Sequence, residues 1–191
     1  GPTGAIHSVL PAESSAKSML NSMTRHREWV QVPMGSAGVL AFVVYPERSD
    51  KAPVAIITAT LQGASDWARA VSDQVAAEGF IAVVPDIQTR LGTKDGGTAS
   101  LASASEVSGS QEFARGIRAV RDYSVALPAA NGRSVTLNLD VAKARMEAVV
   151  DSPSGERRAV NFKLTAGDWP GVVAFLNRET DNLPLLGANP N

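Results

Sequence analysis

The chain has 191 residues, with 18 Lys plus Arg against 19 Asp plus Glu in an interspersed pattern, so it lacks the basic footprint of a nucleic-acid binder. It carries no cysteine, which excludes disulfides, thiolate metal sites and a thiol nucleophile together. The length suits one domain with a sizeable core, and no apolar run is long enough for a helical membrane span.

Residues 1–25 are polar and mixed and read as a mobile N-terminal extension; "AESSAKSMLNSM" can form a short helix that nothing obliges to pack. The opening "GPTG" resembles a processed or artificially added end; it leaves the localisation open, with periplasmic or secreted favoured slightly over cytoplasmic. Order begins with the β-rich runs "EWVQVPM" (28–34) and "GVLAFVVYP" (38–46), joined as a hairpin around "GSAG". "VAIITA" (54–59) is apolar without alternation, the pattern of a strand buried on both faces.

Trp67, Val71 and Val75 recur at i, i+4 and i+8, the spacing of one helical face, with Asp66 or Ser65 as N-cap. Gly79 stops this helix, and "FIAVVP" (80–85) follows as a second buried strand. Strand, helix, glycine and strand in this order predict a βαβ unit, hence a parallel pair. Residues 88–110 read as an exposed excursion; they lack the GxxxxGK[ST] spacing of a phosphate loop. Phe113, Ile117, Val120 and Leu127 predict a long helix that ends at "PAANGR".

Beyond Gly132 the period changes to two. "SVTLNLD" (134–140), "ARMEAVVD" (144–151) and "RRAVNFKL" (157–164) alternate, and the last two predict an antiparallel hairpin over 144–164. "DWPGVVAFLNRE" returns to helical spacing, with Asp168 in position to cap it and Pro170 in its first turn. The expected organisation is an extension (1–25), a single domain (26–180) and a tail (181–191). The expected fold class is α/β: a shortened, mainly parallel sheet flanked by helices.

The stretches "EWVQVPMGS", "VVYPERSDKAPVAII", "GASDWARAVSDQVAAEGFIAVVPDI" and "IRAVRDYSVALPAANGR" resemble the dienelactone hydrolase family of α/β-hydrolases in order and spacing over about residues 26–133. The final helix is similar to the one that closes that fold. The resemblance implies a carboxylic-ester or lactone hydrolase with no cofactor and no metal. Its members use a Cys-His-Asp triad whose cysteine occupies a strained strand-to-helix elbow flanked by small residues. Imidazole activates the nucleophile, and the acid orients the imidazole.

Carried over position by position, Asp140 stands where the cysteine would lie, and Asn138 and Ala142 stand where the small elbow residues belong. Thr60, in "ATLQG", replaces the glutamate that meets the resting nucleophile, whereas Gly63 keeps its backbone role. No histidine follows His26, and the segment carrying the acid is not recognisable. Asp140 is thus a weak nucleophile candidate, set against an ordinary strand-end aspartate; Ser124 and Ser134 lack a G-x-S-x-G context. Thr60, Gly63, Trp67 and Arg90 are the expected pocket lining for a small ester or lactone, Trp67 serving either core or cleft, and Asp86 is expected to organise the following turn. His7 falls in the extension, and His26 solvates the approach to the first strand. The expected function is a hydrolase-like protein inactive as it stands. The alternative is a non-catalytic binding or assembly subunit that associates with itself through 134–164.

Overall fold

The computed structural model describes residues 11–35, 37–59, 63–87, 111–140, 143–151, 157–163 and 168–182. A 3-10 turn (Glu13–Ser15) leads into α1 (Ala16–Asn21), followed by β1 (Arg27–Met34), β2 (Ala37–Val44), β3 (Ala52–Ala59), α2 (Asp66–Ala77) and β4 (Ile81–Pro85). The second half has α3 (Gln111–Val125), β5 (Ala130–Asp140), β6 (Arg145–Asp151), β7 (Arg157–Lys163) and α4 (Trp169–Thr180).

The strands form one sheet in the order β1-β2-β4-β3-β5-β6-β7. Its centre is parallel, as the βαβ pattern predicts: β3 pairs with β4 on one side and with β5 on the other. Both flanks are antiparallel, β1–β2–β4 on one side and β5–β6–β7 on the other. The sheet is therefore mixed, its parallel part confined to β4-β3-β5. Short connections between β1 and β2 and between successive strands of β5–β7 leave no room for crossover helices, so those strands must reverse direction.

Alternation along the strands sorts the core into two layers. Ala55, Ile57, Ala82, Val84, Val135, Leu137 and Leu139 face α1, α2 and α4, where they meet Trp67, Val71, Phe175 and Leu176. Val54, Ile56, Ile81 and Val83 face the opposite way, towards Val120 on α3. Both faces of β3 are covered, in keeping with a run that is apolar except for Thr58; full burial of a Val or Ile there contributes about 1.5–3 kcal/mol.

Three local expectations change. The first residues of "AANGR", expected to end a helix, instead open β5 at Ala130, with an irregular register against Ala52 and Val54. Asp168 occupies the N-cap of α4 without a capping bond; its carboxylate instead accepts the backbone N–H of Lys163 at 2.9 Å. The N-terminal extension is not free where it is described. Ala16 is buried, α1 packs on α2, and Arg25 joins Asp73 at 3.0 Å and Glu47 at 3.3 Å. Burial of Ala16, with Met19 and Met23 packed against the same core, supplies the docking energy that the polar composition conceals.

Candidate functional site

In an open α/β sheet, ligands lie beyond the carboxyl ends of the parallel strands, where side chains from several loops converge. Here those ends are Ala59, Pro85 and Asp140.

After β3 the chain reaches Gly63, buried with φ +58, a conformation that an L side chain adopts only with strain. The Ala64 N–H points to the Asp86 carboxylate at 3.4 Å, and the Asp86 N–H donates to the Leu40 carbonyl at 2.8 Å. Asp86 thus links the loop after β3 to the end of β4, while the turn it was expected to organise continues outside the described residues. Ser65 caps α2, its hydroxyl accepting the Ala68 N–H at 3.2 Å.

Trp67 resolves in favour of the core. It is 6% exposed within the α2 layer, and its indole N–H donates to the Pro11 carbonyl at 2.7 Å. Thr60 and Arg90 lie outside the described residues, as do His7 and Ala142. Of the four expected pocket residues, Gly63 and Trp67 are therefore placed, on the loop before α2 and in its first turn.

Asp140 ends β5 opposite Arg145 of β6, and its carboxylate accepts the Lys143 N–H at 3.1 Å. This is an aspartate organising a strand reversal, with Ala144 at φ 50 beyond it. β5 therefore runs to Asp140 and pairs antiparallel with β6. Asn138 shows the consequence. The Thr58 hydroxyl donates to Asn138 Oδ1 at 2.7 Å, and Asn138 Nδ2 donates to Glu147 Oε1 at 3.1 Å. Register continues this row to Asn161 on β7. Sequence reasoning missed the row; its trace was Thr58 and Asn138 at positions where neighbouring residues are apolar.

His26 sits far from Asp140. It precedes β1, where the parallel strands begin, whereas Asp140 stands where they end. Four strand spacings separate β1 from β5, about 19 Å across the sheet. His26 is exposed, its ring centroid 5.2 Å from that of Tyr45 and Nε2 3.8 Å from Glu28. The Tyr45 hydroxyl donates to Glu28 at 3.1 Å; burial first, and then the Glu28 carboxylate, push its phenol up to about 12. Ser124 is buried in α3, where its hydroxyl donates to the Val120 carbonyl, and Ser134 lies within β5 beside Val54. Among the described residues no group of three or more His, Asp or Glu is arranged to hold a metal ion, and no helix is long and apolar enough to cross a membrane.

The sheet order and layered helices define an α/β fold with a mixed sheet, and solved structures share it. A dienelactone hydrolase-like promiscuous phosphotriesterase, P91, from metagenomic libraries is 19% identical, with a TM-score of 0.53 over 61% of this chain and 50% of that one. A protein of Klebsiella pneumoniae subsp. pneumoniae MGH 78578, provisionally assigned as a dienelactone hydrolase, is 18% identical, with a TM-score of 0.52 over the same shares. At these identities the likeness is one of fold, and this chain spans about half the length of either. No curated protein matches. The dienelactone hydrolase family model matches residues 39–137, more than half of the chain, which therefore belongs to that family.

Proposed function

We propose that this chain, with residues 26–180 as a single domain, is a hydrolase-family scaffold that holds a small ester or lactone without turning it over. The supporting observation is the separation of Asp140 from His26. An aspartyl ester would still need a base to activate water for its second step, and His26 stands at the far end of the sheet. Asp140 is occupied in holding the turn to Lys143.

The test is turnover of short-chain aryl esters and of an enol lactone by the purified chain and by Asp140→Asn. The expected result is no Asp140-dependent rate above background. A rate that vanishes in the variant overturns the reading and restores a catalytic aspartate. The reading includes export from the cytoplasm, which fractionation of the native host would test.

A second reading is assembly through 134–164. It draws support from β7, whose outer edge pairs with no further strand among the described residues. Charged side chains commonly guard such edges, and Arg157, Arg158 and Lys163 lie along this one. Sedimentation velocity over a range of concentrations decides the matter. A dimer that Val160→Pro dissolves supports assembly, and a monomer throughout removes it.

A further inference from the structure

Asn131 is followed by Gly132, and the structure sets this pair where β5 breaks step with β3. Ala130 pairs with Ala52 and Ser134 with Val54, so Asn131, Gly132 and Arg133 stand against Pro53 alone. Proline has no N–H to offer the ladder. On the other side of β5, pairing with β6 starts only at Thr136. Asn131, Gly132 and Arg133 are all exposed. Gly132 has φ +88, a left-handed conformation that glycine adopts without strain, and a Cβ built there meets nothing within 4 Å.

The Asn131 side chain is held at its oxygen, where Oδ1 accepts the Arg133 N–H at 2.9 Å. That bond draws charge from Cγ and aims a donor at the oxygen that turns negative when a nucleophile adds there. Among the described residues Nδ2, the group that would leave, has no hydrogen-bond partner. The adjacent nucleophile is the Gly132 nitrogen, which no side chain of its own residue crowds. The other described asparagines, Asn21, Asn138, Asn161, Asn177 and Asn182, each precede a residue with a side chain. Two of them are also tied at the amide nitrogen: Asn138 to Glu147, and Asn182 to the Glu78 carbonyl and Asn177.

We infer that Asn131–Gly132 is a site of spontaneous deamidation in the folded protein. The Gly132 nitrogen gives its proton to solvent and bonds to Asn131 Cγ. The Cγ–Nδ2 bond breaks, and Nδ2 takes up a proton and leaves as ammonia, so a cyclic imide closes. Water then opens either imide carbonyl, leaving aspartate by one route and isoaspartate by the other. Each event adds one negative charge to a chain of formal net charge -1. The isoaspartyl form also lengthens the main chain by a methylene, two residues from Arg133, which ties this bulge to Asp181 beyond α4 at 3.0 Å. The site does not depend on the proposed ester or lactone reading.

The test ages the full chain at mildly alkaline pH and maps its peptides by mass spectrometry, with the same chain held unfolded in urea as reference. The folded chain should lose the Asn131 amide at a rate comparable to the unfolded one, with isoaspartate exceeding aspartate. Isoelectric focusing should show a more acidic band that grows faster as pH rises, while Asn138, Asn161, Asn177 and Asn182 stay intact. Asn131→Gln should remove the band, since its longer side chain closes an imide far more slowly; circular dichroism checks that this variant is folded. A folded rate about tenfold or more below the unfolded one would mean that the fold raises the barrier, and it overturns the inference. So does an acidic band that persists in Asn131→Gln, or the earlier loss of any other asparagine amide.

Discussion

The indole N–H of Trp67 donates to the carbonyl of Pro11 across 2.7 Å, joining the first turn of α2 to a residue 56 positions earlier in the chain. With the Arg25–Asp73 ion pair it holds the N-terminal segment against α2 at two points. Trp67→Phe keeps most of the buried ring but loses the donor, and should cost about 1 kcal/mol. Limited proteolysis within 11–25 should become faster while far-UV circular dichroism stays unchanged. Unaltered cleavage would show that the bond does not hold the segment.

Asn138 is the middle member of the row Thr58–Asn138–Glu147. Asn138→Asp removes the amide donor and sets a second carboxylate against Glu147. Denaturant unfolding at pH 7 should show a loss of about 1–3 kcal/mol, shrinking as pH falls and the carboxyls protonate. Adding Glu147→Gln should restore much of it. An additive double mutant would mean that the two side chains do not interact.

Tyr45 makes stability depend on alkaline pH. Its folded-state pKa of about 12 exceeds the ordinary value of 10.0, so the folded protein favours the neutral phenol. The contribution is fully present below pH 10 and is lost as pH rises from there through 12. Tyr45→Phe should flatten that part of the profile, measured by urea midpoints between pH 9 and 12. In the parent, absorbance near 295 nm should show one of the two tyrosines ionising late.

Gly116 allows α3 to approach Ile87, two residues beyond β4, closely. A Cβ there would lie 2.9 Å from Ile87 Cδ1 and 3.1 Å from Cγ1, and Ile87 is wholly buried. Overpacking of about 1–3 kcal/mol should outweigh the roughly 1 kcal/mol that alanine gains in helix propensity. Gly116→Ala should therefore lower Tm, and Ile87→Val in the same chain should recover part of the loss. A rise in Tm with alanine alone would contradict the close approach.

Much of the first half was legible because its signals are local. The apolar run 54–59, the Trp67-Val71-Val75 stripe, Gly79 and the run 80–85 each act within a few residues, and the structure places β3, α2 and β4 there. The hairpin over 144–164 was legible for the same reason: period two on both sides of a polar link appears as β6 and β7. The site was less so. Asp140 is a candidate only through resemblance to a family position, and its bond to Lys143 belongs to a turn whose direction no local period encodes.

By itself, then, the sequence determined the α/β class, the parallel centre, the family resemblance and the absence of cysteine from these 191 residues, since each depends on composition or short-range order. Only the tertiary structure decided that β5 pairs antiparallel with β6 from Thr136 to Asp140, that Asn138 is tied to both Thr58 and Glu147, and that Trp67 is bonded to Pro11. It also decided that Arg145 stands between Asp140 and Lys163 across three strands. The physical reason is register. A one-residue slip of a strand turns every side chain to the other face, so which distant residues meet is set by the whole sheet closing at once and not by any segment alone.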